Sequence, residues 1–288
     1  MRVGFVGLGR MGAHMARNIA GAADALTIWN RSGDKAVALA NELGCAVVQT
    51  PRALSDSVDV VMTMLADDPA SEAVHGGAEG LFAGSARMFI EMGTMSPDHI
   101  NWLAANAPKN ARLIDAPVSG ATQAAREAQL LIMAGCTSDE AGPVMPLFDA
   151  MGKQTLCLGQ RGRGAVMKLA VNSLIHGINQ TLAEAMTLAE AAGIDSQAAF
   201  DVIEASAACA PMLKYRRPIY LDEAAHPVTF TIALARKDME VTAALAQALG
   251  TAMPQGQATL EKLIQAETAG YAARDMASML AFMRKETL

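Results

Sequence analysis

The stretch RVGFVGLGRMGAHMARNIA, Arg2 to Ala20, decides the fold. Val3 to Val6 form a short apolar run of strand type, and Met11 to Ala20 carry the spacing of a helix. Between them stand Gly7, Gly9 and Gly12, in the pattern Gly-x-Gly-x-x-Gly. In that context the first glycine permits a tight turn. The second lets a pyrophosphate approach the backbone, and the third lets helix and strand pack closely. The helix N-terminus adds amides and a positive dipole end. These residues predict a dinucleotide turn made by Gly7, Leu8, Gly9, Arg10, Met11 and Gly12.

Outward from this turn, apolar runs alternate with helical patterns. Strands are expected at 3–6, 26–29, 45–48, 58–64, 88–91, 113–115, 130–134 and 155–158, and helices at 11–20, 34–43, 69–75, 97–107 and 139–150. Such alternation implies a mainly parallel sheet covered on both faces, a Rossmann-like α/β domain. The direction of the strands after Ala116 is left open. At GQRGRGAV, Gly159 to Val166, the pattern changes to a hinge-like segment. Beyond it a long helix is expected over 164–192, stopped at Gly193, with more helices at 196–206, 233–249, 255–267 and 275–286. The expected organisation is a dinucleotide-binding domain over 1–160 and an all-α domain over 161–288 built around one long inter-domain helix, with the chemistry in the cleft between them.

The second strand ends Ile28-Trp29-Asn30-Arg31-Ser32. An NAD site usually places a carboxylate here for the ribose 2′-hydroxyl. Arg31 instead suits a 2′-phosphate, with Asn30 and Ser32 adding hydrogen bonds. The expected cofactor is NADP, with NAD as the alternative.

Bulk properties exclude several classes. The 288 residues carry 23 Lys+Arg against 29 Asp+Glu, a formal charge of −6, which argues against nucleic acid as a partner. Cys45, Cys136, Cys157 and Cys209 have neither zinc-site nor disulfide-framework spacing, so no metal is expected and reduced thiols fit a cytoplasmic protein. No secretory leader pattern precedes the first strand. The longest apolar segment, 165–192, contains Lys168, Asn172, His176, Asn179, Gln180 and Glu184, so it is no membrane span.

Gly164, Lys168 and Asn172 recur every four residues, placing them on one helix face that continues towards His176. A lysine among apolar neighbours loses solvation, which lowers its pKa and suits it to donate a proton near neutrality. Asn172 would orient the lysine or a substrate oxygen, and Gly164 would leave room for a ligand. A lysine snorkelling to solvent beside a packed asparagine fits the spacing equally well.

With these residues in view, the chain resembles the β-hydroxyacid dehydrogenases along nearly its whole length. FVGLGRMGAHMARNI is similar to that family's N-terminal signature, and MLADD, Met64 to Asp68, to its loop over the cofactor. EMGTMSP resembles the segment whose threonine, here Thr94, approaches the nicotinamide. DAPVSG resembles the substrate motif, and GRGAVMKLAVN the catalytic helix. FTIALARKD, Phe230 to Asp238, is similar to the late segment that reaches the cofactor.

The resemblance implies an NADP-preferring oxidoreductase that interconverts a small 3-hydroxy acid and its semialdehyde. It implies Lys168 as proton donor and acceptor, with Asn172 as its partner. Ser119, Gly120 and Ala121 would bind the substrate carboxylate. Met64, Leu65, Thr94, Phe230 and Lys237 would join the glycine turn around the cofactor, in a homodimer or homotetramer. Two departures bear on the substrate. The family's Ser-Gly-Gly reads Ser119-Gly120-Ala121, and TQAAREAQL lacks glycines usual there. No arginine stands at 119–121, which favours a carboxylate over a sulfonate. Arg126, Lys214, Arg216 and Arg217 are candidates for a second anion site. The alternatives are an imine reductase-like enzyme, against which Lys168 argues, and a non-catalytic NADP(H)-binding module.

Overall fold

The computed structural model describes residues 1 to 286. The chain divides into two compact units, the first Met1–Lys168 and the second beginning at Leu169.

In the first unit, β1 (Arg2–Val6), β2 (Ala25–Trp29), β3 (Ala46–Val47), β4 (Val60–Thr63), β5 (Met88–Glu91) and β6 (Arg112–Asp115) form a six-stranded sheet. It is parallel throughout, in the order β3-β2-β1-β4-β5-β6. The connecting helices are α1 (Gly12–Ala20), α2 (Gly33–Leu43), α3 (Pro51–Ser57), α4 (Asp68–His75) and α5 (Pro97–Asn106). Successive strand residues point to opposite faces. Val3, Phe5, Met62, Ile90 and Ile114 therefore enter one core with Met15 and Ile19. Val6, Val61, Phe89 and Leu113 enter the other with Leu54 and Leu103. At the carboxyl ends Val6, Thr63, Glu91 and Asp115 stand in register across four strands. This row turns polar where the sheet reaches its loops.

A second, three-stranded sheet follows, made of β7 (Val118–Ser119), β8 (Leu130–Ala134) and β9 (Gly152–Cys157), with α6 (Thr122–Arg126) between the first two. The direction that the sequence left open is mixed: β7 runs antiparallel to β8, and β8 parallel to β9. The single helix expected over 139–150 is divided into α7 (Ser138–Ala141), a 3₁₀ turn at Gly142–Val144 and α8 (Met145–Met151). Pro143 and Pro146 lack the N–H that a continuous helix needs, so each sits in the first turn of a new element.

Helix α9 (Arg163–Ala191) runs 29 residues, about 43 Å at 1.5 Å per residue, and passes through the division of the chain. Its first turn is clamped by Asp115. One carboxylate oxygen accepts the Gly162 N–H at 2.8 Å, and the other the Ala165 N–H at 2.9 Å. A Cβ on Gly164 would fall 2.4 Å from the Met133 carbonyl oxygen and 2.8 Å from that of Asp115. This corrects the expectation that Gly164 makes room for a ligand, because the glycine is needed for backbone to meet backbone.

In the second unit α9 continues into α10 (Ser196–Ala205), α11 (Pro211–Leu221), α12 (Ile232–Ala248), α13 (Pro254–Ala266) and α14 (Met279–Glu286). Leu182, Met186, Phe200, Tyr220, Tyr271 and Phe282 fill its core. Helix α11 escapes a sequence reading because Pro218 lies inside it, where proline normally signals a break. Among the described residues no helix is long and apolar enough to cross a membrane.

Candidate active site

The glycine turn is built as the spacing requires. Gly7 has φ +92°, and a Cβ there would meet the Met64 carbonyl oxygen at 2.4 Å. A Cβ on Gly12 would fall 1.9 Å from the Gly7 carbonyl oxygen. Beside Gly9, by contrast, nothing lies within 4 Å, so the turn is open at the residue that a pyrophosphate approaches. The geometry fits a dinucleotide.

Asn30 has a task in the turn itself. Its side-chain oxygen accepts the Leu8 N–H at 2.9 Å, and its amide donates to the Ser32 carbonyl at 3.1 Å. Both polar ends hold the turn itself, which leaves Arg31 and Ser32, both exposed, as the groups open to a 2′-phosphate. Arg10 is exposed, and Met11 is half-buried.

Two loops meet at the ends of β4 and β5. Met64 and Leu65 are half-buried, and a Cβ on Gly93 would come within 2.6 Å of the Leu65 carbonyl oxygen. Asp68 accepts the Ser96 N–H at 3.0 Å, tying one loop to the other. Thr94, half-buried, lies between these anchors in the chain. Beneath the second loop is Glu91, fully enclosed. Its two oxygens accept the Gly93 N–H at 3.0 Å and the Ser71 hydroxyl at 2.9 Å. Burial pushes this carboxyl up to about 7, against the pull of the Gly93, Ser71 and Thr63 hydrogen bonds, with Asp68 adding a like charge.

In the substrate-type motif, Ser119 ends β7 half-buried, Gly120 is exposed, and Ala121 caps α6. Asn18 on α1 donates to the Ala125 carbonyl at 2.6 Å and so holds α6. Two of the four cations considered for a second anion site are committed elsewhere. Arg216 is buried against Asp275 and donates to Thr229. Arg217 pairs with Asp201 and Glu204. Arg126 is exposed beside Glu127, and Lys214 is exposed.

Lys168 is half-buried on α9, and Asn172, one turn on, is buried. The Asn172 amide donates to the Asp238 carboxylate at 2.6 Å. The other oxygen of Asp238 pairs with Lys237 at 2.7 Å, and the His176 ring stands 4.0 Å from the first. Phe230 covers that ring, with centroids 5.6 Å apart. Burial drives Asp238 up, but the imidazole and the Lys237 ammonium outweigh it, and the carboxyl is held down at about 2. The second unit thus brings Asn172, His176, Phe230 and Lys237 around one permanent anion. Asp238 and Glu91 are the residues that sequence reasoning passed over. Glu91 opens one quoted motif and Asp238 closes another, so the signal was a carboxyl at the edge of a segment already singled out.

Comparison with known proteins is consistent along the chain. Residues 2–159 match the family described as the NAD binding domain of 6-phosphogluconate dehydrogenase. Residues 162–283 match that described as NAD-binding of NADP-dependent 3-hydroxyisobutyrate dehydrogenase. Glyoxylate/succinic semialdehyde reductase 1 of Arabidopsis thaliana is 30% identical over 285 residues, 97% of each chain. A structure of 3-hydroxyisobutyrate dehydrogenase from Mycobacterium tuberculosis with L-serine superposes with a TM-score of 0.85 at 25% identity, covering 98% of this chain and 99% of that one. An imine reductase from Myxococcus stipitatus in complex with NADP+ superposes with a TM-score of 0.66 at 16% identity, over 98% and 100% of the two chains, a likeness of fold alone.

Proposed function

The chain belongs to the β-hydroxyacid dehydrogenase family of NAD(P)-dependent oxidoreductases, and we propose that it interconverts a small 3-hydroxy acid and its semialdehyde, with NADP preferred. The observation that carries the reading is the pair Lys168 and Asn172, one turn apart on one helix, with the Asn172 amide pinned by a buried carboxylate. Pinning fixes which way the amide points, so one face of α9 presents a set geometry to a substrate oxygen.

NADP(H), when bound, supplies or takes the hydride. In reduction Lys168 gives a proton from Nζ to the oxygen of the aldehyde as it becomes an alkoxide. In oxidation the same nitrogen takes that proton back. Asn172 holds the oxygen. Ser119 and the amides of Gly120 and Ala121 hold the carboxylate, and Arg31 pairs with the 2′-phosphate. The L-serine bound to the mycobacterial relative is itself a small 3-hydroxy acid, which supports this substrate class. The exposed apolar side chains Leu174 and Leu188 on α9 support a homodimer or homotetramer, which light scattering reads directly.

The test is a panel of C3–C5 semialdehydes and 3-hydroxy acids, assayed with NADPH and NADH on the native chain and on Lys168→Ala. Turnover in the variant should fall by roughly 10²–10⁴-fold. Survival within tenfold would remove Lys168 from the chemistry, and equal use of both coenzymes would remove the NADP preference. An imine accepted in preference to every aldehyde would favour the imine reductase reading.

A further inference from the structure

Glu91 lies under the loop Met92–Met95 and bonds both to that loop and to helix α4. One oxygen accepts the Gly93 N–H and the other the Ser71 hydroxyl. The Ser71 hydroxyl also lies 3.2 Å from Nδ1 of His75, and that nitrogen is 2.9 Å from the Ser71 carbonyl oxygen. All three residues are buried.

We propose that Glu91 is a positioning residue, whose proton, exchanged along a Glu91–Ser71–His75 relay, sets how firmly the loop bearing Thr94 is held. The proposal depends on the proposed function only for what Thr94 does.

The relay has two hydrogen-bonded states, in which Nδ1 of His75 either donates to the Ser71 carbonyl or accepts from the Ser71 hydroxyl. With Glu91 ionised, the Ser71 hydroxyl donates to the carboxylate, and Nδ1–H of His75 donates to the Ser71 carbonyl. With Glu91 protonated, the carboxyl O–H donates to Ser71 Oγ. The Ser71 hydroxyl then donates to Nδ1, and the imidazole carries its proton on Nε2. One proton enters, at Nε2 of the imidazole, while the Nδ1 proton passes to Ser71 Oγ and the serine proton to the carboxylate, so the imidazole is neutral in both states. Burial holds His75 down at about 4, which keeps it neutral at pH 7. The other groups around the carboxyl do not offset its burial. Asp68 on α4 adds a like charge and Thr63 on β4 is neutral, while His99 on α5, which acts on His75, is itself lowered by burial. Asp115, the register partner on β6, is a carboxyl committed to α9. Glu91 is accordingly pushed up to about 7, so both states are populated near neutrality.

The difference reaches the loop through Gly93. An ionised acceptor makes a shorter and stronger bond to that N–H than a neutral acid does. Gly93 is also wedged between the Leu65 carbonyl and the Met95 side chain, each 2.6 Å from where a Cβ would stand. A weaker bond therefore loosens Gly93 against the 64–65 loop.

The test tracks the Gly93 amide by ¹⁵N NMR across pH 5 to 9, on the whole chain. In the native protein its resonance should titrate with a midpoint near 7, and in Glu91→Gln, which mimics the neutral acid, the titration should vanish. In His75→Phe, which keeps the ring beside Phe82, the protonated state loses its acceptor and the midpoint should move lower. An unchanged midpoint in either variant, or a native midpoint below 5, overturns the proposal. The His75→Phe comparison decides the matter if Glu91→Gln does not fold. In parallel, native kcat/KM should rise roughly three- to tenfold from pH 6 to 8, and the Gln variant should stay at the acidic level. A normal amide titration with identical kinetic profiles would keep the relay and remove Thr94 from the site.

Discussion

Glu91 in the α/β unit and Asp238 in the helical unit are equally buried, each about 1% exposed, yet they are opposite kinds of acid. Glu91 is surrounded by hydroxyls, an amide and a like charge, and it is pushed up to about 7. Asp238 has Lys237 and His176 beside it and is held at about 2. Depth of burial does not decide whether a carboxyl stays ionised. A cation within reach does, since neutral donors return only part of the lost solvation. The α/β unit thus contains a group that titrates, and the helical unit a fixed negative charge.

The largest way to break this contrast is Asp238→Asn. It removes the carboxylate beside Lys237 and leaves Asn172 without a charged acceptor, and it should cost about 3 kcal/mol in urea unfolding. Turnover should fall at least roughly tenfold as Asn172 loses its orientation. A stable, active variant would mean that the fixed charge is dispensable.

Next is Glu91→Gln, read as stability against pH. A carboxyl raised in the folded state favours folding while protonated. Its contribution is fully present below the ordinary glutamate range and is lost as pH rises through about 7. Glutamine has no such loss, so the variant should gain about 3 kcal/mol over the native chain between pH 5 and pH 8. His75 acts in the opposite sense, because its contribution is lost as pH falls towards about 4, but it does so in both proteins and cancels in the difference. A flat difference would erase the contrast between the two acids.

A smaller effect is expected from Lys237→Met, which moves Asp238 towards the condition of Glu91. Asp238 stabilises the fold above the ordinary aspartate range, and that contribution is lost as pH falls through about 2. Without Lys237 the loss should begin at higher pH and destabilise the protein by about 1–2 kcal/mol at pH 4. Acid-unfolding curves that coincide would assign the low value to His176 alone.

The smallest test touches neither cluster. Ala128 has φ 53°, in the left-handed region that favours glycine. Ala128→Gly should relieve up to about 1 kcal/mol and leave both titrations in place, which thermal unfolding would check.

Much of the α/β unit was legible because its signals are local. The glycine turn, the alternating strands and the capped helices each depend on neighbours in the chain. The mixed direction of β7 to β9 was not, since pairing partners are set by packing rather than by any run of residues. Helix α11 was concealed by Pro218, and the division of α7 from α8 by over-reading apolar spacing across Pro143 and Pro146. At the site, Lys168 and Asn172 were visible as a helical repeat. Asp238 was not, because it meets Asn172 across 66 positions of sequence. Glu91 was hidden similarly, since its partners Ser71 and His75 come from a different element. Asn30 was singled out, but its bond to Leu8 was not foreseen, because that bond exists only once two strands are side by side.

That bond matters for anyone re-engineering coenzyme choice. Shifting the proposed NADP preference to NAD would most simply mean installing an acid at the end of β2, at Asn30. An aspartate there would still accept the Leu8 N–H, but its second oxygen would confront the Ser32 carbonyl that the amide now satisfies. Redesign should therefore spare Asn30 and exchange Arg31 and Ser32, whose side chains the turn does not use.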